Sequence, residues 1–274
     1  MNHSLDGTVA VVTGGSRGLG RIMAIALADK GARVVLASPE TDQLNAVKAE
    51  IDGLYGKGRA LAVTTDITKR GDCENLLAAS KGEFGSIQVL VNNAKRLSRG
   101  PGLPATGNSL PFWESNPDIW CETVSVNVGG TFLMARTFAE HFLEQKWGRI
   151  INITTSLVTM QRRNNSPYGV TKAALEAATM IWAKDLDGTG VTVNSLIPGG
   201  AVDLEPGVRQ HREGIGNLQP SDVMNPVLLW LASRASDGVT GRRFVGKLWN
   251  TNLPPDIAAQ SAIEPPVLRD PDSR

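Results

Sequence analysis

Short runs of β-branched and apolar residues alternate with longer segments of helical periodicity along almost all of the 274-residue chain. A strand, a helix and a further strand in succession form a right-handed parallel crossover. The alternation therefore predicts an α/β fold, a Rossmann-type doubly wound parallel sheet with helices on both faces. The predicted strands are 9–13, 33–37, 60–64, 89–92, 149–154, 191–197 and 243–245, and the predicted helices are 19–28, 41–51, 71–79, 119–142 and 168–185.

No internal repeat, low-complexity segment or linker divides the chain, so we expect a single domain over residues 1–274. Residues 95–117 and 199–220 are long loops that follow predicted strands. Because ligands of open α/β sheets bind beyond the carboxyl ends of the strands, we expect these two loops to border the substrate. Residues 250–274 are rich in proline, and we expect an extended tail on the surface or against another subunit.

Charge and composition exclude several classes of partner and site. With 28 Lys plus Arg against 27 Asp plus Glu, the net charge is +1, so neither nucleic acid nor a membrane surface is expected. No secretory signal and no apolar stretch of roughly 18 residues is present, which predicts a cytoplasmic protein. Cys73 and Cys121 form no CxxC pair, and His3, His141 and His211 lack metal-ligand spacing. We therefore expect neither a disulfide nor a metal.

A glycine-rich loop, residues 13–20, joins the first predicted strand to the first predicted helix. Glycine lets the backbone turn sharply and approach a pyrophosphate, to which the helix N-terminus presents free N–H groups. In this position the loop predicts dinucleotide binding, and it lacks the Lys-Ser/Thr ending of a P-loop. The predicted cofactor contacts in the loop are Gly14, Ser16, Arg17, Gly18, Leu19 and Gly20.

The end of the second predicted strand bears on the choice between NAD(H) and NADP(H). An acidic residue there accepts hydrogen bonds from the ribose 2′-OH and repels a 2′-phosphate. The strand ends in Ser38, and Arg17 of the glycine loop is placed to meet a phosphate, so NADP(H) is favoured over NAD(H). Glu40 lies two residues further on and keeps NAD(H) open.

Tyr168 and Lys172 begin a predicted helix and are four residues apart, which places them on one helical face. A free phenol has a pKa of about 10, and a nearby cation lowers it by favouring the phenolate. A tyrosine tuned in this way exchanges a proton with a carbonyl or alcohol oxygen. The other of the two tyrosines, Tyr55, has Arg59 four residues on but lies in a glycine-rich segment, and we assign it to the surface.

From residue 7 to about residue 248 the sequence resembles the short-chain dehydrogenase/reductase family. The resemblance implies an NAD(P)-dependent oxidoreductase that transfers a hydride between NADP(H) or NAD(H) and a carbonyl or secondary alcohol, usually as a homodimer or homotetramer. The motifs that carry it, in order, are the loop over 13–20, Asp66-Ile67, Asn92-Asn93-Ala94, Val126-Asn127-Val128-Gly129-Gly130, Tyr168-x-x-x-Lys172 and Pro198-Gly199.

The resemblance also implies roles for individual residues. Tyr168 is the expected acid/base, and Lys172 is expected to lower its pKa and to bind the nicotinamide ribose. Asn127 is expected to hold a water of the proton relay. Further cofactor contacts are implied for Ser38, Asp66, Ile67, Asn93, Ala94, Pro198, Gly199 and Val202.

A hydroxyl that binds the substrate oxygen is expected just after the fifth strand. A gap-free match places Thr155 where the family usually has serine, and Ser156 reaches the same place if the chain bulges by one residue. Either hydroxyl can donate to an oxyanion. Thr155 is favoured, and Ser156 stays open.

The chain also departs from the family pattern. Lys95, followed by Arg96, replaces a glycine, and we expect these cations either to meet a cofactor phosphate or acidic substrate or to face solvent. Leu204 stands where threonine is usual, which puts a contact to the cofactor carboxamide in doubt. Phe112 and Trp113 of the first loop are expected either to bind an apolar, ring-bearing substrate or to anchor a helix.

Two alternatives to the oxidoreductase remain open. One keeps the fold and uses the cofactor for dehydration or epimerisation. The other is a non-catalytic NAD(P)-binding sensor or subunit. Retention of Asn127, Tyr168 and Lys172 disfavours the second, because binding alone does not require a proton relay.

Overall fold

The structure, a computed structural model, describes residues 4–96, 110–204 and 218–268. Most of the two predicted substrate loops, the end of the tail, His3 and His211 lie outside these ranges. One sheet holds eight strands in the order β3-β2-β1-β4-β5-β6-β7-β8, and all neighbours are parallel except β7 and β8. The strands are β1 Val9–Thr13, β2 Arg33–Ser38, β3 Ala60–Thr64, β4 Val89–Asn92, β5 Gly148–Ile153, β6 Val191–Ile197, β7 Arg243–Val245 and β8 Ile263–Glu264.

Helices cover both faces of the sheet, which confirms the predicted doubly wound fold. The helices are α1 Gly18–Asp29, α2 Thr41–Tyr55, α3 Arg70–Phe84, α4 Pro117–Val124, α5 Thr131–Glu144, α6 Leu157–Met160, α7 Tyr168–Asp185, α8 Asn225–Ala232 and α9 Pro255–Ser261. Alternate strand residues enter two apolar clusters: Val12 and Leu36 pack with α1, α2 and α8, whereas Val11 and Val35 pack with α3 and α5.

The helix predicted over 119–142 is instead three consecutive helical pieces. α4 begins after Asn116, whose side chain accepts hydrogen bonds from the N–H groups of Asp118 and Ile119. A π-helical turn, Ser125–Gly130, separates α4 from α5. Such a turn inserts an extra residue into the helical ladder and is often found at functional sites. It contains Asn127.

The prediction of an extended tail after residue 250 was wrong for the part that the structure describes. Pro255 occupies the first turn of α9, where its missing N–H has no intrahelical partner to lose. Ala258, Ala259 and Ala262 are buried, and β8 then pairs with β7. Small residues at helical spacing therefore dock this segment on the sheet.

Within the described residues, none of the helices combines the length and the apolar character needed to cross a bilayer. The same ranges contain no group of three or more His, Cys, Asp or Glu side chains placed to hold a metal ion. Cys73 is buried and Cys121 is exposed, and both are free thiols. His141 is buried and accepts a hydrogen bond from the N–H of Ile87 at 3.1 Å, a contact between α5 and the segment before β4.

Candidate active site

The carboxyl ends of β1 and β4 meet where the strand order reverses, and parallel α/β sheets bind ligands at such a point. Asn93 joins the two loops there, because its side-chain amide donates to the carbonyl of Thr13 at 2.9 Å. The N–H groups of Asn93 and Ala94 both donate to the Thr13 hydroxyl at 3.0 Å. The predicted residues Asn93 and Ala94 thus fix the loop after β4 against the glycine loop.

The glycine loop forms a cradle that side chains would fill. Gly14 and Gly18 have φ of +64° and +54°, in the left-handed region that favours glycine. A Cβ at Gly20 would lie 2.0 Å from the carbonyl oxygen of Gly14. Arg17, the N-cap residue of α1, makes no side-chain cap within the described residues. Backbone N–H groups at this helix start therefore fit a pyrophosphate.

Four polar side chains meet beside the glycine loop at the end of β2. The hydroxyls of Ser16 and Ser38 share a hydrogen bond of 3.1 Å. Both hydroxyls also lie within hydrogen-bond distance of the Glu40 carboxylate, which in addition lies 3.6 Å from the Arg17 guanidinium, and their two protons serve two of these three contacts at a time. Glu40 therefore turns back towards the residues expected to contact the ribose. This is the arrangement for which the sequence kept NAD(H) open.

Asp66 and Ile67 lie beyond β3. The Asp66 carboxylate accepts from the hydroxyl of Thr68 at 2.7 Å, and this hydrogen bond holds the pKa of Asp66 below its usual value despite partial burial. Ile67 is buried and packs closely against the π-helical turn. A Cβ at Gly130 of this turn would lie only 2.6 Å from the Ile67 side chain. Asp66 caps a turn in the structure, and its predicted adenine contact stays a prediction.

Pro198 and Gly199 follow β6. Gly199 has φ of +90°, and a Cβ there would lie 2.6 Å from the Lys247 side chain, so only glycine fits without strain. Val202 is buried and forms a β-bridge with Gln219 across the second predicted substrate loop. Leu204 points at the glycine loop, 3.6 Å from the place of a Cβ at Gly18. The described start of this loop thus lies over the cofactor cradle.

Tyr168 and Lys172 occupy the first turns of α7 beside the end of β5. The Lys172 ammonium donates to the carbonyl of Ile153 at 2.7 Å and lies 5.9 Å from the centre of the Tyr168 ring. Burial raises the pKa of Tyr168 to about 12, and its hydrogen bond with the Thr155 side chain lowers it by less. The direction is opposite to the expected lowering by Lys172, because burial outweighs the neighbouring groups.

The pKa of Lys172 is lowered to about 7. Burial contributes most, the positive charge of Lys95 adds to it, and the carboxylate of Glu176 opposes both. Lys95 is exposed, but its positive charge is close enough to lower the pKa of Lys172, so it lies near the site. Arg96 is half-buried and pairs with Glu122 of α4 at 2.7 Å, so it is not simply turned to solvent, and a contact with a cofactor phosphate or an acidic substrate stays a prediction.

The two candidate hydroxyls beyond β5 have different partners. Thr155 is hydrogen bonded with Tyr168. The Ser156 hydroxyl caps α6, accepting from the N–H of Thr159 at 3.3 Å and bonding the Thr159 hydroxyl at 2.9 Å. Thr155 thus adjoins Tyr168 whereas Ser156 caps a helix, and the binding of a substrate oxygen by either hydroxyl stays a prediction.

Asn127 reaches across the π-helical turn to the chain after β4. Its side-chain oxygen accepts from the N–H of Arg96 at 2.7 Å, and its amide donates to the Arg96 carbonyl and the Thr171 hydroxyl, each at 3.1 Å. Its backbone carbonyl accepts from Thr131 at 2.8 Å. Asn127 thus connects α7 to the start of the first substrate loop, and the water expected on it stays a prediction.

A groove of about 300 Å³ lies beside α7. Phe112 and Trp113 form one wall and contact each other edge to face, with ring centres 5.3 Å apart. They are 72% and 69% exposed, so neither anchors a helix in the described residues. Arg162, Arg163 and Val170 also line the groove, and Val170 stands two residues after Tyr168 on α7.

Two charged residues at this edge were missed in the sequence. Glu176 is 3% exposed on α7, and Arg243 is 4% exposed on β7, 3.2 Å from it. Glu176 had a signal, because it stands four residues after Lys172 and so shares the face that carries the Tyr-Lys pair. Arg243 had only the weak signal of an arginine within an apolar strand.

A doubly wound sheet with a glycine loop beyond β1 and a Tyr-Lys pair beyond β5 defines a class, the Rossmann-type oxidoreductases. Comparison with known sequences gives the family: the family model described as short chain dehydrogenase matches residues 8–209. The chain therefore belongs to the short-chain dehydrogenase/reductase family and is an NAD(P)-dependent oxidoreductase.

The relatives carry several oxidoreductase names. The chain is 33% identical over 261 residues to a fluoren-9-ol dehydrogenase of Terrabacter sp. (89% of this chain, 72% of the relative). It is 32% identical to NADPH-dependent aldehyde reductase 2, chloroplastic, of Arabidopsis thaliana (87% and 92%). A solved 3-ketoacyl-(acyl-carrier-protein) reductase of Brucella melitensis, complexed with NADH, superposes with a TM-score of 0.75 at 30% identity, covering 88% of this chain and 96% of that one.

Proposed function

We propose that the protein reduces a carbonyl compound, a ketone to a secondary alcohol or an aldehyde to a primary alcohol, with NADPH, and that Tyr168 supplies the proton. The observation that carries the proposal is the position of Tyr168 at the carboxyl edge of β5, next to the Thr155 side chain and one helical turn from the buried Lys172. Two hydroxyls side by side form a site for one carbonyl oxygen.

The two hydroxyls have separate tasks. Bound NADPH supplies the hydride. Thr155 donates a hydrogen bond to the carbonyl oxygen and holds it beside Tyr168. Because the pKa of Tyr168 is about 12, the phenol keeps its proton at neutral pH and donates it as negative charge develops on that oxygen. The raised pKa thus suits Tyr168 to an acid in reduction more than to a base in oxidation.

Lys172 stabilises the phenolate that remains. With a pKa of about 7, its ammonium is partly charged at neutral pH and loses its charge as the pH rises. Its hydrogen bond to the Ile153 carbonyl fixes the ammonium at the end of β5. Asn127 holds the turn that backs α7 and, in this proposal, carries the water that passes protons to Lys172.

NADP(H) is the proposed preferred cofactor. Support comes from the Arg17 guanidinium beside the glycine loop and from the Ser16 and Ser38 hydroxyls, which can donate to a 2′-phosphate. One relative is named NADPH-dependent, whereas a structural neighbour was solved with NADH. Glu40 carries a negative charge among the same groups and reduces the preference.

The proposed partner is a small carbonyl or alcohol substrate, bordered by the loops over 95–117 and 199–220. Names of the relatives include an aldehyde reductase and a fluorenol dehydrogenase, which agrees with an apolar or ring-bearing substrate near Phe112 and Trp113. We also propose that the protein is a single domain, that it forms a homodimer or homotetramer, and that it is located in the cytoplasm.

The test combines NADPH with a panel of ketones and aldehydes and follows cofactor oxidation together with the products formed. Tyr168→Phe should lower kcat by roughly 10²- to 10⁴-fold, because it removes the proton donor, and should leave NADPH binding in place. Tyr55→Phe is the matched control, since it alters the other tyrosine, on α2, and should turn over like the wild type.

Other outcomes would contradict the proposal. If Tyr168→Phe turns over as fast as the wild type, Tyr168 is not the proton donor. Cofactor binding without turnover of any panel member would indicate the non-catalytic alternative. A dehydrated or epimerised product without net cofactor oxidation would indicate the dehydratase or epimerase alternative.

A further inference from the structure

A buried carboxylate lies directly beneath the candidate active site. Glu176 of α7 accepts hydrogen bonds from the Thr154 hydroxyl at 2.5 Å and the Ser195 hydroxyl at 3.0 Å. The guanidinium of Arg243 donates to it at 3.2 Å. A buried carboxylate loses its hydration, and these three donors replace it with hydrogen bonds.

Arg243 divides its guanidinium among three acceptors. Nε donates to Glu176, Nη1 donates to Glu264 of β8, and Nη2 donates to the backbone carbonyl of Thr155 at 3.2 Å. The planar fork of arginine fixes these directions relative to one another. A lysine has one compact ammonium and cannot reproduce all three.

The third contact is the one that concerns the reaction. β5 ends at Ile153, and the last ladder bond beyond it runs from the N–H of Thr154 to the Leu196 carbonyl at 3.1 Å. Thr155 therefore lies outside the sheet, where Arg243 holds its carbonyl while its side chain bonds Tyr168.

We propose that Arg243 is a positioning residue for the reaction, which acts through Thr155. It fixes the Thr155 backbone and so orients the hydroxyl that meets Tyr168 and the substrate oxygen, and Glu264 orients Arg243 in turn. Through this pair, β8 near the C-terminus determines the geometry of the proton-donating site. The kinetic consequence rests on the proposed function, whereas the geometric one does not.

The geometric test uses the fact that the chain contains only two tyrosines. Tyrosine labelled with ¹³C at Cζ gives one NMR resonance each for Tyr168 and Tyr55, and the Cζ shift responds to hydrogen bonding of the phenol. Thr155→Val should move the Tyr168 resonance. Arg243→Lys should move it in the same direction, and the double variant should add little to Thr155→Val alone. The Tyr55 resonance should stay in place throughout.

The kinetic test uses the same variants. Arg243→Lys should lower kcat by roughly 10- to 100-fold, as expected for a small displacement of a reacting group, with the Kd of NADPH unchanged. In the Thr155→Val background the same substitution should have little further effect on kcat. Glu264→Gln leaves Arg243 in place and should give smaller changes in the same directions, and it serves if Arg243→Lys fails to fold.

Arg149 provides a matched control. It is a second buried arginine, 1% exposed, at the opposite end of β5, where it pairs with Asp237 and stacks on Trp147. Arg149→Lys should lower the Tm as Arg243→Lys does but leave the Tyr168 resonance and kcat unchanged.

The outcomes separate the two proposals. If the folded Arg243 or Glu264 variants lower the Tm but leave both the Tyr168 resonance and kcat at wild-type values, Arg243 is structural and the inference is overturned. If Arg243→Lys moves the resonance while the wild type reduces no carbonyl compound, the positioning by Arg243 stands and the proposed function fails.

Discussion

Residues 9–12 of β1 are apolar on both faces of the strand, whereas one face of β5 becomes polar towards its carboxyl end. Residues 9–12 enter the two apolar clusters in alternation, each packed under a different layer of helices. In β5, Ile151 and Ile153 join the first cluster and Ile150 joins the second. Further along the face of Ile150, Asn152 bonds the hydroxyl of Thr179, and Thr154, just after β5, bonds Glu176; both partners lie on α7.

The difference shows how the two halves of the sheet build their parts of the site. In the half around β1 the ligand edge is built mainly of backbone, because the glycine loop presents N–H groups and the Thr13 hydroxyl at the end of β1 fixes the loop after β4. In the half around β5 the ligand edge is built of side chains, and each buried polar group there depends on its hydrogen-bond partners. Substitutions should therefore act through shape in the first half and through charge and hydrogen bonding in the second.

The largest effect is expected where the backbone-built half is broken. Gly20→Ala places a Cβ 2.0 Å from the Gly14 carbonyl and 2.7 Å from the Asn93 amide, so the loop must move. We expect a loss of about 3 kcal/mol in the free energy of unfolding, measured in urea. The affinity for NADPH, measured by fluorescence titration, should fall by roughly tenfold or more.

Gly53→Ala is the control for this change. Gly53 lies within α2, and a Cβ there meets nothing within 4 Å. The substitution should raise the free energy of unfolding by up to about 1 kcal/mol, because alanine favours the helix. Equal stability of the Gly20 and Gly53 variants would show that the glycine loop does not depend on close backbone contact.

The next effect concerns the half around β5 and is measured as the pH dependence of stability. The pKa of Lys172 is about 7 in the folded protein against an ordinary value of 10.5. Between these values the unfolded chain binds the proton more strongly, so stability should rise with pH. From pH 7 to pH 9 the wild type should gain about 2 kcal/mol more than Lys172→Met, measured by urea unfolding at both pH values.

This comparison cancels other titrations, because Tyr168 and Cys73, whose pKa values burial raises, are present in both proteins. Parallel pH profiles of the two proteins would show that Lys172 titrates near its ordinary value. Such a result would also remove the reason to expect a partly charged Lys172 at neutral pH.

The two halves differ in how far the sequence predicts them. Strands such as β1 need apolar residues on both faces, so their runs are visible directly in the sequence. The motif Tyr168-x-x-x-Lys172 is equally visible, because one helix carries both members. Glu176 and Arg243 are 67 positions apart and meet only because β6 and β7 pair, so spacing gave no sign of their contact.

Local exceptions explain the remaining differences. The helical pattern over 119–142 continues through the π-helical turn. The extra residue of this turn changes the backbone hydrogen bonds, but it alters the spacing of apolar residues too little to be visible in the sequence. Prolines in the C-terminal segment predict an extended chain, yet Pro255 stands at a helix start and permits α9. Its small buried alanines contribute a docking surface that an apolar-residue pattern does not emphasise.

The smallest effect tests whether a side-chain charge also matters in the backbone-built half. Glu40 accepts from Ser38 and Ser16 and pairs with Arg17, in a partly exposed arrangement where a single charge has a modest effect. Glu40→Gln keeps the shape and removes the charge that opposes a 2′-phosphate. The ratio of kcat/KM for NADPH over NADH should rise by roughly fivefold, about 1 kcal/mol.

Asp42→Asn is the matched control, because Asp42 carries the same charge two residues further along, exposed in the first turn of α2. It should leave the ratio unchanged, since its charge is outside the group formed by Ser16, Ser38 and Arg17. An equal change in both variants would indicate only a general field effect. No change in Glu40→Gln would mean that the ribose 2′ position lies away from Glu40, so that the cofactor half would depend on backbone shape alone.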